Sequence, residues 1–110
     1  MSTQLETDFH NAMLDVYRRS KSEAGYSAVR FLSMVAERGG LETARYLLHA
    51  PTVSEGYTAL WERGRLDLTV EAVILEPKWR GLFSEAELRV AVARLREYGY
   101  VGPLPEIDRK

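Results

Sequence analysis

Ser84-Glu85-Ala86-Glu87-Leu88-Arg89-Val90-Ala91-Val92-Ala93-Arg94-Leu95-Arg96-Glu97-Tyr98-Gly99 carries its own start, face and stop. Ser84 and Glu87 form a capping box: the serine hydroxyl accepts from the Glu87 amide while the glutamate reaches back to the amide of Ser84. Leu88, Ala91, Val92, Leu95 and Tyr98 then recur at helical spacing as one apolar stripe. Ala86, Val90 and Ala93 give the reverse side a milder apolar character, and Gly99 supplies the stop. The remainder of the chain, read outward from this helix, belongs to the same class.

Toward the amino terminus, Leu66 to Leu75 alternates apolar and polar residues as a strand would. A helix from Thr69 to Leu75 is the better reading, because a lone strand would leave its backbone groups without partners. Between that element and Ser84, Pro77-Lys78-Trp79-Arg80-Gly81-Leu82-Phe83 reads as a loop, with Leu82 and Phe83 placed to pin it down. A helix capped by Thr52 or Ser54 and closed by Gly64 turns Tyr57, Leu60 and Trp61 inward. Leu41 to His49 makes a short helix with Leu41, Ala44, Leu47 and Leu48 inward, ended by the Ala50-Pro51 step. From a cap at Ser27 to Gly39, the residues Ala28, Val29, Phe31, Leu32, Met34, Val35 and Ala36 cover most of a helix and leave only Arg30, Ser33 and Glu37 as a polar strip. Such a helix is expected at the centre of the core. The first helix, Gln4 to Ser22, carries the stripe Leu5, Phe9, Ala12, Met13, Val16 and Tyr17.

The expected fold is therefore all-α, a compact orthogonal bundle of about five to six short helices. Residues 1–25 form an N-terminal helix packed on the domain, 26–100 the helical core domain, and 101–110 an extended tail with Pro103 and Pro105. The expected core is Phe9, Leu32, Val35, Leu47, Leu60, Trp61, Leu88, Val92 and Leu95.

Composition narrows the function classes. The 110 residues hold 15 basic and 16 acidic side chains, a net charge of -1, so no strong field draws the chain to a phosphate backbone. Cysteine is absent, which removes disulfides, thiolate metal ligands and a thiol nucleophile. The polar start, Met1 to Thr7, lacks the basic and apolar regions of a signal peptide, and no stretch approaches the roughly 18 apolar residues of a membrane span. The expected setting is cytoplasmic, away from membranes.

Phe31-Leu32, then Gly39-Gly40-Leu41-Glu42-Thr43-Ala44, then Leu60-Trp61, then Gly64-Arg65-Leu66-Asp67-Leu68-Thr69-Val70-Glu71-Ala72, and Leu82-Phe83 before the capping box, form a recognisable series. On these residues the stretch Tyr26 to Tyr100 resembles a small bacterial all-helical domain family without an assigned activity. The resemblance implies kinship and a helical fold, and assigns no role to any residue.

Helices two and three, joined at Gly39-Gly40, invite comparison with a helix-turn-helix, Ala36 and Gly40 having the familiar separation. The would-be recognition helix offers Arg45 and His49 but also Glu42, so an ordinary helical hairpin is the stronger reading. His10 and His49 are the only imidazoles, and neither has a second ligand at metal-binding spacing. No Gly-rich phosphate loop, nucleophile elbow or zinc-protease helix occurs. No catalytic, metal or cofactor-binding residue is therefore assigned. Arg65, Trp79 and Arg80 are the candidate partner-binding residues, being of types favoured at binding hot spots, with Trp79 in a loop; against that role for Trp79 stands anchoring in the core, the stronger expectation for a tryptophan. The expected function is a non-catalytic protein-interaction or regulatory module that associates with itself or docks on a larger protein. The alternative is a nucleic-acid-binding accessory domain using Arg45 and His49.

Overall fold

Six α-helices and two 3-10 turns make up the regular structure of residues 3–107, the part of the chain that the computed structural model describes. The helices are α1 (Gln4–Ala24), α2 (Val29–Arg38), α3 (Gly40–His49), α4 (Glu55–Glu62), α5 (Val70–Ile74) and α6 (Glu85–Glu97). The 3-10 turns are Leu66–Leu68, before α5, and Pro77–Leu82, between α5 and α6. No strand occurs among the described residues, and the stretch that alternates like a strand is helical on both sides of Thr69.

Side-chain caps place most of the helix starts. Ser54, Thr69 and Ser84 accept from the amides of Tyr57, Ala72 and Glu87, each satisfying a donor that has no partner within its helix. The Ser84–Glu87 box is complete, and Thr3 with Glu6 makes a second one at the start of α1. The starts of α2 and α3 are the exceptions. Helix α3 begins at Gly39 with no side-chain cap. The N-cap of α2 is Ala28, not the expected Ser27, and no side chain caps it.

The link between α2 and α3 is a single residue, Gly39, at φ 85 and ψ 161, a backbone conformation almost confined to glycine. Gly40 is required for a different reason. A Cβ there would lie 2.7 Å from the Cα of His10, so α1 and α3 meet backbone to backbone only because position 40 has no side chain. His10 closes the contact, its Nδ1 accepting the Gly40 amide at 3.0 Å.

The core runs from Phe9, Met13 and Val16 of α1 through Ala44 and Leu48 of α3 to Leu88, Ala91, Val92 and Leu95 of α6. Phe9, Val35, Leu60, Leu88, Val92 and Leu95 are buried as the sequence predicts. Three expectations are corrected. Helix α2 is not central: Val35 is its one buried residue and Leu32 is only half-buried. Leu47 is likewise half-buried. Trp61, expected in the core, is 44% exposed, whereas Trp79 is 5% exposed, the core anchoring that competes with its candidate binding role. Trp61 sits in the last turn of α4 in a T-shaped contact with Tyr98, ring centroids 5.3 Å apart. The segment expected as an open loop instead winds into the 3-10 turn and drives the Trp79 indole against Phe9, centroids 5.3 Å apart. The carboxy-terminal segment is non-helical as expected, but Leu104 and Ile107 lie against the core, and residues 108–110 fall outside the described residues.

Candidate binding cleft under α2

Arg94 ties four elements together. One of its terminal nitrogens donates to the Leu47 carbonyl at 3.0 Å and to the Glu71 carboxylate at 2.9 Å. The other donates to the Ala50 carbonyl at 2.7 Å. A single guanidinium of α6 thus satisfies carbonyls at the end of α3, which no further helical turn can reach, and neutralises a carboxylate of α5. Glu71 is 3% exposed. Burial raises its carboxyl pKa, and the bond from Arg94 opposes that rise. The Tyr57 hydroxyl of α4 donates to the Arg94 carbonyl at 2.9 Å, and burial pushes its phenol pKa up, which keeps it neutral. Helices α3 to α6 are locked by these bonds. Helix α2 takes part in none of them.

Between α2 and the locked unit lies a cleft of about 600 Å³, within the size range of small-molecule sites. Phe31 and Met34 of α2 form one wall, Tyr46 and Leu47 of α3 with Val53 the other. The deeper lining includes Ser20 of α1 together with Thr69 and Glu71. The Thr69 hydroxyl is fully used, donating to the Leu66 carbonyl and accepting from the Ala72 amide. Ser20 differs: it is 1% exposed and its hydroxyl has no hydrogen-bond partner. A buried hydroxyl left unmatched costs on the order of 1–3 kcal/mol, so an incoming hydrogen-bonding group would be stabilised there.

Two contacts span the mouth. Arg30 of α2 meets Glu55 of α4 at 3.5 Å with both side chains largely exposed, and such a surface pair holds weakly. The Arg38 guanidinium lies over the Tyr46 ring, 4.6 Å from its centre, a cation–π contact also modest when exposed. Both can yield to an occupant.

The residues singled out from sequence lie elsewhere, and none of the five lines the cleft. Arg65 is spent on Asp67 at 3.0 Å and Glu23 at 2.8 Å. Arg19 also donates to Glu23, and the two arginines lower that carboxyl pKa to about 2. Arg80 donates to the Leu75 carbonyl at 2.8 Å, and Trp79 is enclosed. These three therefore do not present the exposed aromatic and basic surface that the loop reading required. Arg45 donates to the Leu82 carbonyl at 2.9 Å, and His49 Nε2 lies 2.7 Å from a Glu87 carboxylate oxygen. The one-residue link between α2 and α3 is also shorter than the three or four residues of a helix-turn-helix turn. Among the described residues no group of three or more His, Asp or Glu side chains is placed to hold a metal ion.

The missed features had one faint signal, a serine continuing the inner stripe of α1 four residues after Val16. No family model, curated protein or solved structure matches the chain, so the resemblance over residues 26–100 rests on its residues alone. No helix among the described residues is long and apolar enough to cross a membrane.

Proposed function

We propose that this chain is a non-catalytic regulatory module of a bacterial cytoplasmic system, that it works by binding, and that the cleft under α2 is its working part. One observation carries the reading: α2, rich in apolar residues, buries only Val35 and spends Phe31 and Met34 on the wall of an open cleft. Apolar surface in that position gains by being covered, at roughly 25 cal/mol per Å². The absence of cysteine supports a reducing compartment. In this reading the occupant sets how α2 stands against α3 and α4, and α2, with Val29 60% exposed, relays that state to a larger protein or to a second copy.

Photo-crosslinking in cells tests the proposal. A photoreactive phenylalanine in place of Phe31 should yield a discrete conjugate, and the same group in place of Arg96, exposed on α6, should not. The mass of the conjugate separates a small molecule, a second copy and a larger protein. No conjugate at Phe31, or equal yields at the two positions, would overturn the reading.

A further inference from the structure

We infer that the cleft takes a small amphiphilic anion: an apolar body between α2 and α3, a negatively charged group at the mouth beside Arg38, and a hydrogen-bonding group at the buried end facing Ser20. The inference rests on the reading of the cleft as a binding site and names the chemistry of its occupant.

Three observations converge on that chemistry. The walls are apolar where an occupant would be thickest, with Phe31 and Met34 opposite Leu47 and Val53, which calls for a hydrocarbon or aromatic body. At the mouth stand two guanidiniums, Arg30 and Arg38, against one carboxylate, Glu55. Arg30 is matched by Glu55, whereas Arg38 has no carboxylate partner among the described residues and lies over the Tyr46 ring. A guanidinium on an aromatic face keeps its donors for a carboxylate or phosphate oxygen. In the interior, the buried Ser20 hydroxyl has no hydrogen-bond partner among the described residues, while Thr69 is satisfied and Glu71 is held by Arg94. A hydroxyl both donates and accepts, so it suits an alcohol or a carbonyl at the inner end of the occupant. A cationic head is disfavoured at the mouth by Arg38.

Titration of the isotope-labelled chain with three probes of one chain length tests this: decanoate, 10-hydroxydecanoate and decyltrimethylammonium, followed by amide shifts and kept below micelle formation. Decanoate should bind saturably, one per chain, with the shifts concentrated at Phe31, Met34 and Val53. The hydroxy acid should bind about 2- to 10-fold tighter, the range of one hydrogen bond. Ser20→Ala should abolish that advantage and leave decanoate unchanged. Arg38→Ala should weaken both acids about 2- to 5-fold, as for an exposed ion pair, and should not weaken the cationic probe. Equal or tighter binding of decyltrimethylammonium in the cleft would overturn the anionic assignment while leaving the cleft as a binding site. Loss of the hydroxyl advantage in the unaltered chain would overturn the role of Ser20. If no probe shifts the cleft residues, the amphiphile is wrong, and the crosslink at Phe31 then decides whether the cleft binds anything at all.

Discussion

Helices α2 and α6 have comparable lengths and both read as strongly apolar, yet they meet different fates. Helix α6 buries six residues, two of them charged, and α2 buries one. By apolar content alone the ranking should be reversed. The difference lies in polar anchoring. Helix α6 starts on a capping box, draws Glu87 toward His49 and Arg45 of α3, and sends Arg94 into the carbonyls at the end of α3. Helix α2 has no side-chain cap, and its links to α3 and α4 are surface contacts that give little. Hydrophobic attraction is non-directional; directional bonds decide which apolar face is drawn fully home.

The largest test of that contrast is Arg94→Ala. It should cost about 3–5 kcal/mol in urea unfolding, because Glu71 would be left charged or forced to protonate in the interior. A loss below 1 kcal/mol would mean that apolar packing alone seats α6. Next comes a pair of truncations. Leu95→Ala, at a fully buried site, should cost about 2–5 kcal/mol. Leu32→Ala should fall near the range of surface substitutions, about 0.5 kcal/mol. Equal losses would put α2 back into the core and close the cleft. The third pair concerns caps. Ser84→Ala should cost roughly 1 kcal/mol and Ser84→Gly less, whereas Ser27→Ala should change stability by no more than about 0.5 kcal/mol.

The smallest effect is on pH dependence. Burial works to raise the Glu87 carboxyl pKa, but the Ser84 amide, His49 and Arg45 together hold it below the ordinary 4.5. Its contribution is therefore fully present above that value and is lost as pH falls through the lowered one. Glu71 has the opposite sign: its raised pKa means that stability is lost as pH rises from 4.5 through the raised value. Chemical unfolding between pH 3 and 7 should show Glu87→Gln flattening the acid limb, and Glu71→Gln removing a loss on the neutral side. An unchanged acid limb in Glu87→Gln would detach that carboxylate from the anchoring of α6.

Much of the helix layout was legible in the sequence, because caps, glycine stops and the Ala50-Pro51 break act within a few residues. The class and the capping box of α6 follow from such local rules, whereas the choice of helix over strand near Thr69 went against the local alternation and rested on the lack of a partner strand. The candidate site was not legible. Trp79 lies between a proline and a glycine outside any periodic pattern, so the sequence left its binding role and its burial in competition, and nothing local says that a 3-10 turn will carry it onto Phe9. Trp61 looked inward because it follows Leu60 on an amphipathic helix, and nothing local says that the end of α4 leaves it 44% exposed. Arg94 carries no local signal of its role, since its partners Leu47, Ala50 and Glu71 are 23 to 47 residues away.

The sequence by itself determined which segments are helices and where they stop, since the groups that begin and end a helix lie within one turn of its ends. Only the tertiary structure decided that α2, packed on α1 and α3, leaves a cleft toward α4 with Ser20 unmatched on its lining. The reason is physical: where a helix comes to rest depends on bonds from elements distant in the chain, and the strongest of those, from Arg94, hold α3 to α6 together without reaching α2.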